Sequence, residues 1–394
     1  MKVLLLTQNW PNPPISGEAA ITYNLIKELG NKHDIYLITI DSSKSNNYKE
    51  MTELKYKEII KVEMKKNIFG YIISLVLPYP YGIYTKYKKS AGEKIKESIY
   101  KINPDIIVVG SLGLAIYYKY FPEKKPKQLI AADSLPMVMD RLAKDTNNIF
   151  KKVHYLSHKI KATNYERDIY PKFDSVVYVS EIDANEAKKS SKDIKIDVIS
   201  NGVDIEKFKS RNNKKILHSI CFTGNLGYIP NEKAAYRLCT EIFPLVKKEI
   251  SDAKVYIIGV NPSDRLKKLN NDSDIFITGY VNDIVDYLDR MEVFCSFLEA
   301  GGGIKNKILE AMSVGLPVVG TRYCFEGIEG NNGKHYIIVD DISSAASNIV
   351  KLIREEKIKN YLSFNARNLI EKKYSWKFRA EQYNNIWEYL RWMK

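Results

Sequence analysis

The strongest constraint on this 394-residue chain is a rhythm that runs through it twice. Short, wholly apolar runs alternate with segments whose apolar residues return every three or four positions. Val3–Thr7, Ile35–Ile40, Ile106–Val109, Gln128–Ala132, Ser175–Val179 and Ile196–Ile199 are apolar on both alternating faces. Strands of that kind are buried on both sides, as in a parallel sheet covered by helices. Helical periodicity fills the intervals, for example at Glu18–Leu29 and Ile182–Lys189. A second series follows at Ser219–Thr223, Val255–Ile258, Ile275–Thr278, Val293–Ser296, Val318–Gly320 and Tyr336–Val339. Its helical segments are Lys233–Ile250, Ile284–Asp289, Lys305–Val314 and Ser343–Ile353. Two successive β-α-β series predict an α/β chain of two facing, doubly wound, Rossmann-like domains with parallel sheets. The length favours two domains over one core.

The seam is expected near Asn201-Gly202-Val203-Asp204, a turn-forming step after the sixth strand, with the polar run Lys207–Lys215 as connector. The expected domains are residues 1–205 and 206–375, with a terminal helix at 376–394 packing back on the first. That helix holds Trp376, Trp387 and Trp392, and its aromatic face is expected to be buried. Ligands of open α/β sheets bind at the carboxyl ends of the strands, so a site in an interdomain cleft is expected.

Other features narrow the class. Cys221, Cys239, Cys295 and Cys324 are scattered without C-x-x-C pairing, which favours a reducing compartment and argues against a zinc site. The opening MKVLLLTQ reads as a first strand, since no small-residue cleavage site follows its apolar run. The longest apolar patch, Ile68–Leu77, is about half the ~20 residues a membrane-spanning helix needs. The formal charge of +14 favours an anionic partner, and residues 1–200 carry 32 Lys and Arg against 23 Asp and Glu. Lysine-rich drift in an AT-biased genome explains that excess equally well. No nucleic-acid-binding motif accompanies the charge, so nucleic acid is not the expected partner.

The chemistry concentrates at Gly301–Met312, GGGIKNKILEAM. A helix N-terminus presents unpaired backbone N–H groups and partial positive charge, and glycines let a phosphate approach the backbone. Lys305 and Lys307 add cationic charge where a diphosphate would lie, and Glu310 can accept hydrogen bonds from sugar hydroxyls. A flexible loop with two solvated lysines is the plainer alternative. Two further strand-end loops are glycine-bearing: Asn9–Glu18, with Gly17 before a helix, and Phe222–Asn231. Of the five histidines, only His154 and His158 share an i, i+4 spacing, without the glutamate of H-E-x-x-H, and they read as surface. No metal site is expected.

With those motifs in view, the chain resembles the GT-B nucleotide-sugar glycosyltransferases of the family-4-like group. It is most similar to a bacterial branch bearing G-x-G-I-K-N-K-x-L-E-A-M. P-x-P-x-S-G fits the segment ending at Gly17, V-S-E fits Val179–Glu181, and N-G-V-D fits Asn201–Asp204. F-T-G with a following P-N fits Phe222–Asn231, E-A-M-x-x-G-x-P-V-V fits Glu310–Val319, and E-G-I fits Glu326–Ile328.

The resemblance implies that Gly302, Gly303, Ile304, Lys305 and Asn306 hold the donor diphosphate, with Lys307 adding charge and Lys305 also acting in catalysis. It implies that Glu310 binds the donor ribose, that Gly17 approaches from the other domain, and that Tyr280 and Val281 flank the base. Asn225 is expected at the donor where relatives often have arginine. Gly302 stands where relatives often have a donor-binding glutamate, the nearest acid being Glu299. Many relatives have a histidine at the end of the fourth strand, where this chain has Ala131-Ala132-Asp133-Ser134. Asp133 is therefore the candidate for acid–base help, a cap on the following helix being the alternative.

The implied function is configuration-retaining, metal-independent transfer of a sugar from a nucleotide-diphosphate-sugar to an acceptor glycan or lipid-linked saccharide in cell-surface polysaccharide biosynthesis. Rival readings are a GT-B sugar-nucleotide 2-epimerase and a catalytically degenerate partner subunit. No cofactor is expected beyond the donor substrate. The expected location is the cytoplasm, with peripheral attachment to the inner face of the membrane. Lys65–Lys89 mixes lysines, tyrosines and aliphatics in a way that suits contact with anionic lipid. Lys144–Lys172 is similar, but there the simpler expectation is that the apolar residues are core and the lysines merely solvated.

Overall fold

The computed structural model describes residues 1–8, 10–12, 16–41, 54–63, 78–146, 148–190, 194–299 and 304–394. The chain divides into two compact units, Met1–Asn201 with Arg379–Lys394, and Gly202–Phe378.

The first unit is built on a seven-stranded sheet in the order β3-β2-β1-β4-β5-β6-β7, with every pairing parallel. Its strands are β1 Lys2–Thr7, β2 Asp34–Asp41, β3 Glu58–Glu63, β4 Ile106–Val109, β5 Lys127–Ala132, β6 Ser175–Tyr178 and β7 Ile196–Val198. Val3, Leu4, Leu5 and Leu6 of the central β1 are fully buried, as a strand covered on both faces requires. β3 has no counterpart in the sequence reading. Its Glu58, Lys61 and Glu63 break the apolar run, which an edge strand tolerates and a central one does not.

Helix α1 (Gly17–Leu29) starts where the Ser16 side chain accepts from the Ala19 amide at 3.2 Å, and it buries Ile21, Leu25, Ile26 and Leu29. Helix α2 (Lys89–Ile102) precedes β4. Two antiparallel-reading helices, α3 (Leu135–Asp145) and α4 (Ile149–Ile169), then pack together between β5 and β6, tied by Lys159 Nζ to Asp140 Oδ1 at 2.7 Å. The Ser134 and Asn148 side chains accept amide hydrogen bonds at their first turns. The end of α4 joins the core through Ala162, Tyr165 and Ile169. Its beginning departs from expectation. Ile149, Phe150, Val153, Leu156 and Ile160 are exposed, so the expected core role of the apolar residues in this basic stretch holds for its second half, Ala162 to Tyr170, and fails for its first. Helix α5 (Glu181–Ser190) follows β6.

The second unit repeats the plan with a six-stranded parallel sheet, β10-β9-β8-β11-β12-β13. Its strands are β8 Ser219–Thr223, β9 Lys254–Ile258, β10 Ile275–Gly279, β11 Val293–Ser296, β12 Val318–Gly320 and β13 Ile337–Ile338. Helix α6 (Ile229–Arg237) continues through a π-helical turn at Leu238–Ile242 into α7 (Phe243–Glu249). Helices α8 (Ile284–Arg290), α9 (Asn306–Val314), α10 (Ile342–Arg354) and α11 (Glu356–Lys373) complete the layers. Gly315, at φ +87, closes α9 in the left-handed conformation that glycine adopts without strain.

The last helix, α12 (Trp376–Met393), begins in the second unit and ends in the first. Trp387 is fully buried in the first unit, where its indole N–H donates to Gln128 Oε1 at 2.8 Å. Trp392 is 84% exposed, so the expected burial of the aromatic face holds for Trp376 and Trp387 only. All four cysteines are buried and free of disulfides. Among the described residues no helix is long and apolar enough to cross a membrane.

Candidate functional site

In the second unit the strand order turns back between β8 and β11, so the loops leaving their carboxyl ends diverge to opposite sides. That divergence opens the crevice in which doubly wound sheets bind ligands. The loop after β8 begins at Gly224, and the loop after β11 leads to Lys305 and α9. Gly301, Gly302 and Gly303 lie outside the described residues.

The Gly224 loop is fixed tightly. Gly224 N donates to Ile258 O at 3.0 Å and Leu226 N to Val260 O at 2.8 Å. Gly259 backs the loop at φ +155, and a Cβ there would lie 1.7 Å from Gly224 O, so only glycine fits. The Asn225 side chain accepts from the Gly227 amide at 3.0 Å and meets Asn261 Nδ2 at 3.4 Å, while its carbonyl accepts from Asn231 Nδ2 at 2.9 Å. Asn225 therefore holds the turn together as well as standing at the strand end.

Lys307 bridges the two loops. Its ammonium donates to Asn231 Oδ1 at 2.6 Å and sits 4.4 Å from the centre of the Phe222 ring. A Cβ on Gly224 would lie 2.7 Å from that nitrogen, so the glycine leaves the space the lysine occupies. Burial lowers the Lys307 pKa to about 8, against the opposing pull of Cys324 and Glu310. Lys305 precedes the first turn of α9 and is itself buried, with its ammonium 3.8 Å from the Tyr323 ring centre and 3.8 Å from Glu326 Oε2. No side chain caps the start of α9, and its first turn holds no acid, so its positive end is not neutralised from within the helix.

Glu310 lies one turn along α9 and is half-buried. Burial raises its pKa, with Lys207 and Lys307 opposing. No hydrogen-bond donor meets its carboxylate among the described residues, which leaves acceptor capacity beside the two lysines. Ile304 is anchored in the core, and Gly327, at φ +80, leaves room for it, since a Cβ there would meet Ile304 Cγ1 at 2.8 Å. Asn306, the first residue of α9, is exposed. Tyr280 is exposed and Val281 half-buried just past β10, following Gly279 at φ +67. Glu299, the acid nearest the glycine run, is taken up in an ion pair with Arg237 of α6.

Sequence reasoning passed over Tyr323 and Glu326, although E-G-I marks the second. It also passed over Lys207, which acts on Glu310 from the connector. The signal for Tyr323 was weak, because a lone tyrosine ahead of a glycine turn has many uses.

In the first unit the order turns back between β1 and β4. Gly17, the first residue of α1, is exposed there, with nothing within 4 Å of the position a Cβ would take. Beside it, Glu18 accepts from the Gln8 amide at 2.7 Å. Burial raises the Glu18 pKa to about 7, more than the Gln8 hydrogen bond and Lys86 lower it. The sequence reading used Glu18 only as a helix start. A carboxyl that titrates near neutrality at a switch point is a functional candidate in its own right.

Asp133 follows β5 at a strained turn. Ala132 has φ +62, where the register with β6 slips, a conformation that costs a residue with a Cβ on the order of 1–3 kcal/mol. Asp133 is exposed, yet loss of solvent around its carboxyl, followed by the nearby Asp183 carboxylate, raises its pKa while Arg141 opposes. It is Ser134 and not Asp133 that caps α3. Asp183 is buried and accepts from the Ser134 amide at 2.9 Å and from the Ser180 hydroxyl, so it pins the turn that presents Asp133. Deeper in, Glu166 is fully buried, and neither carboxylate oxygen completes a hydrogen bond. Burial raises its pKa to about 8, with the nearby Tyr170 hydroxyl and Leu135 amide opposing.

The His154 and His158 rings stack at 4.3 Å on α4. Among the described residues no group of three or more His, Cys, Asp or Glu is arranged to hold a metal ion.

Comparison with known proteins agrees with this layout. Residues 218–355, the second sheet and most of its helices, match the sequence profile described as Glycosyl transferases group 1. The chain is 28% identical over 206 residues to the capsular polysaccharide biosynthesis glycosyltransferase CapM of Staphylococcus aureus, covering 48% of this chain and 53% of that one. It is 31% identical over 201 residues to the UDP-Gal:alpha-D-GlcNAc-diphosphoundecaprenol alpha-1,3-galactosyltransferase of Escherichia coli, covering 45% and 50%. The chain thus spans about half the length of these two relatives. The crystal structure of Anabaena HepE in complex with UDP matches with a TM-score of 0.67 at 13% identity, over 98% of this chain and 99% of that one. The fold is GT-B: two parallel-sheet, Rossmann-like domains. The matched profile and the relatives' names support the GT-B glycosyltransferase family.

Proposed function

We propose that this chain is a family-4-like glycosyltransferase that moves a sugar from a nucleotide-diphosphate-sugar to a saccharide or lipid-linked acceptor in cell-surface polysaccharide assembly, with retention of configuration. One observation carries the reading. Lys307 ties the Gly224 loop to the start of α9, where Lys305 stands beside Tyr323 and Glu310 meets no hydrogen-bond donor among the described residues, at the β8/β11 switch point of the unit that matches the glycosyl transferases group 1 profile.

The chemistry follows from charge. Transfer through an oxocarbenium-like transition state releases a diphosphate, so negative charge grows on the leaving group. The uncapped end of α9 and the ammonium groups of Lys305 and Lys307 oppose that charge, and they do so at low solvent exposure, where such opposition is strongest. Glu310 accepts from the donor ribose, and Tyr280 with Val281 flanks the base. The donor diphosphate is assigned to Gly302, Gly303 and the backbone through Asn306, with Asn225 serving the donor from the Gly224 loop. Gly17, Glu18 and Asp133 serve from the first unit, the acids handling the acceptor proton. The names of CapM and of the E. coli transferase motivate a capsule-type glycan and a lipid-diphosphate acceptor, and the UDP in the HepE complex motivates a uridine donor. A cytoplasmic enzyme at the inner face of the membrane, needing no metal, fits this reading. Neither a 2-epimerase nor a non-catalytic partner subunit gains support from the relatives.

The test is a thermal-shift screen of the purified protein against nucleotide sugars, since a ligand at a hundred times its Kd stabilises by ~2.7 kcal/mol. We expect one donor to stabilise the wild type and to lose most of that effect in Lys305→Ala. A panel without any stabilising nucleotide sugar overturns the proposal.

A further inference from the structure

Helix α4 carries an apolar stripe on the wrong side for a core helix. Its core-facing residues are Ala162, Tyr165, Glu166 and Ile169 in the later turns, and Tyr155, His158 and Lys159 share that side in the earlier ones. Ile149, Val153, Leu156 and Ile160 follow a 4-3-4 spacing that sets them on one line along the helix, opposite those positions. Phe150 stands beside the line and is 83% exposed, and Ile149 and Ile160 are each 64% exposed. Leu142 of the partner helix α3 is exposed as well. Isolated exposed apolar residues need no explanation, but a continuous row with an aromatic at its head does.

The charge around the row is one-sided. Over residues 135–161 the cations Arg141, Lys144, Lys151, Lys152, Lys159 and Lys161 are set against only Asp140 and Asp145. Asp140 is already held by Lys144 and Lys159, each at 2.7 Å. By helical spacing, Lys152 lies along one margin of the apolar row and Lys161 along the other, while Lys159 is turned toward Asp140. An apolar strip margined by lysines on a helix outside the core has the form of a segment that lies in a bilayer interface, apolar row down and ammonium groups at the headgroups. A protein partner with a matching groove needs acidic rims to meet these lysines, whereas an anionic leaflet supplies negative charge along the whole row without a specific shape.

We propose that the α3–α4 hairpin is a docking surface for an anionic lipid bilayer, with Ile149, Phe150, Val153, Leu156 and Ile160 entering the headgroup boundary and Lys152 and Lys161 facing lipid phosphates. The proposal rests on the glycosyltransferase reading for its purpose. The hairpin starts two residues after Asp133, so docking it brings the acid–base turn to the membrane surface, where a lipid-carried acceptor would present its sugar.

The experiment is co-sedimentation of the purified full chain with vesicles of equimolar phosphatidylglycerol and phosphatidylcholine, and with vesicles of phosphatidylcholine alone. The wild type should pellet with the anionic vesicles, weaken as salt is raised, and stay largely in solution with the neutral ones. Phe150→Glu with Val153→Glu should lower the partition coefficient by at least about tenfold. Lys152→Ser should lower it by about fivefold. These side chains are exposed, so circular dichroism and the melting temperature should stay unchanged. A wild type that remains in solution with both vesicle types overturns the proposal, and so does an apolar-row variant that pellets like the wild type. A wild-type dimer in sedimentation velocity that the Phe150 and Val153 changes convert to monomer also overturns it, by assigning the row to a second copy of the chain. Donor stabilisation is read separately on each variant. Vesicle binding without any donor binding refutes the glycosyltransferase reading and leaves this surface standing, and the converse result does the reverse.

Discussion

Lys307 offers the sharpest test of the donor site, because its protonation is set by the same burial that would place it against a phosphate. The free protein holds its pKa at about 8, far below the 10.5 of a solvated lysine, so near pH 8 half the molecules lack the charge. A bound diphosphate favours the ammonium and raises that pKa again. The sign follows directly. Donor affinity is full below about pH 8 and falls as pH rises through it, because binding must then be accompanied by proton uptake. If the bound form titrates above about pH 10, linkage gives a loss of about tenfold between roughly pH 7 and pH 9, or about 1.4 kcal/mol. A nucleotide sugar, measured by calorimetry, is the right probe, because a free nucleoside diphosphate has a terminal phosphate that itself titrates near pH 6. Lys307→Met should bind weakly at pH 7 and show no slope to pH 9. Lys307→Arg should keep a charge throughout and flatten the slope without that loss, provided the longer side chain is accommodated beside Gly224. A Lys307→Met protein with the wild-type slope refutes the argument, since another group would then be carrying the proton.

Three further outcomes are expected. Glu310→Ala should weaken a ribonucleotide-sugar donor by roughly 10- to 100-fold, the range of a lost hydrogen bond to a charged group, and should erase the preference over a dideoxyribose analogue in a competition assay. Glu166 ionises at about 4.5 in the unfolded chain but holds its proton until about 8 in the fold, so stability is present in full at low pH and is lost as pH rises between those values, by roughly 3 kcal/mol at pH 7. Glu166→Gln should remove that slope in urea melts between pH 5 and 8, and parallel curves for the two proteins would show Glu166 to be paired in solution. Gly259→Ala should cost roughly 2–4 kcal/mol in the same melts, because its Cβ would strike Gly224 O at 1.7 Å and its φ of +155 excludes it.

The sheets were legible in the sequence because the central strands are buried on both faces, so Val3–Leu6 and Ile220–Phe222 could only be apolar. The donor-side candidates were legible for a different reason. A glycine run before a helix with Lys305, Lys307 and Glu310 is chemistry compressed into a dozen residues. What stayed hidden was non-local. β3 alternates Glu, Ile and Lys because only one neighbour covers it, and that pattern passes for a loop. The exposure of Phe150 could not be read from a segment in which lysines and aliphatics alternate, because either face of α4 could have met the core. Glu18 looked like a helix-start acid until the fold placed it against the Gln8 amide at the β1/β4 switch point. Its burial, and hence its pKa of about 7, depends on the sheet around it.

The two units also differ in the kind of ionisable group they desolvate. The second buries Lys305 and half-buries Lys307, cations suited to a departing diphosphate, while the first raises the acids Glu18 and Asp133, suited to an acceptor hydroxyl proton. Such a division makes donor binding and proton handling separable by mutation. Asp133→Asn keeps the shape of the turn pinned by Asp183 and removes the titrating group, so donor affinity should stay within about twofold of wild type while kcat falls by roughly 10²–10⁴. Its residual rate should also lose one limb of the pH profile. If instead the loss appears in donor affinity with kcat unchanged, Asp133 is a donor ligand, and the proton must be taken by Glu18 or by the substrate's own phosphate. A double variant with Glu18→Gln decides between those two, because only the first predicts a further fall in rate.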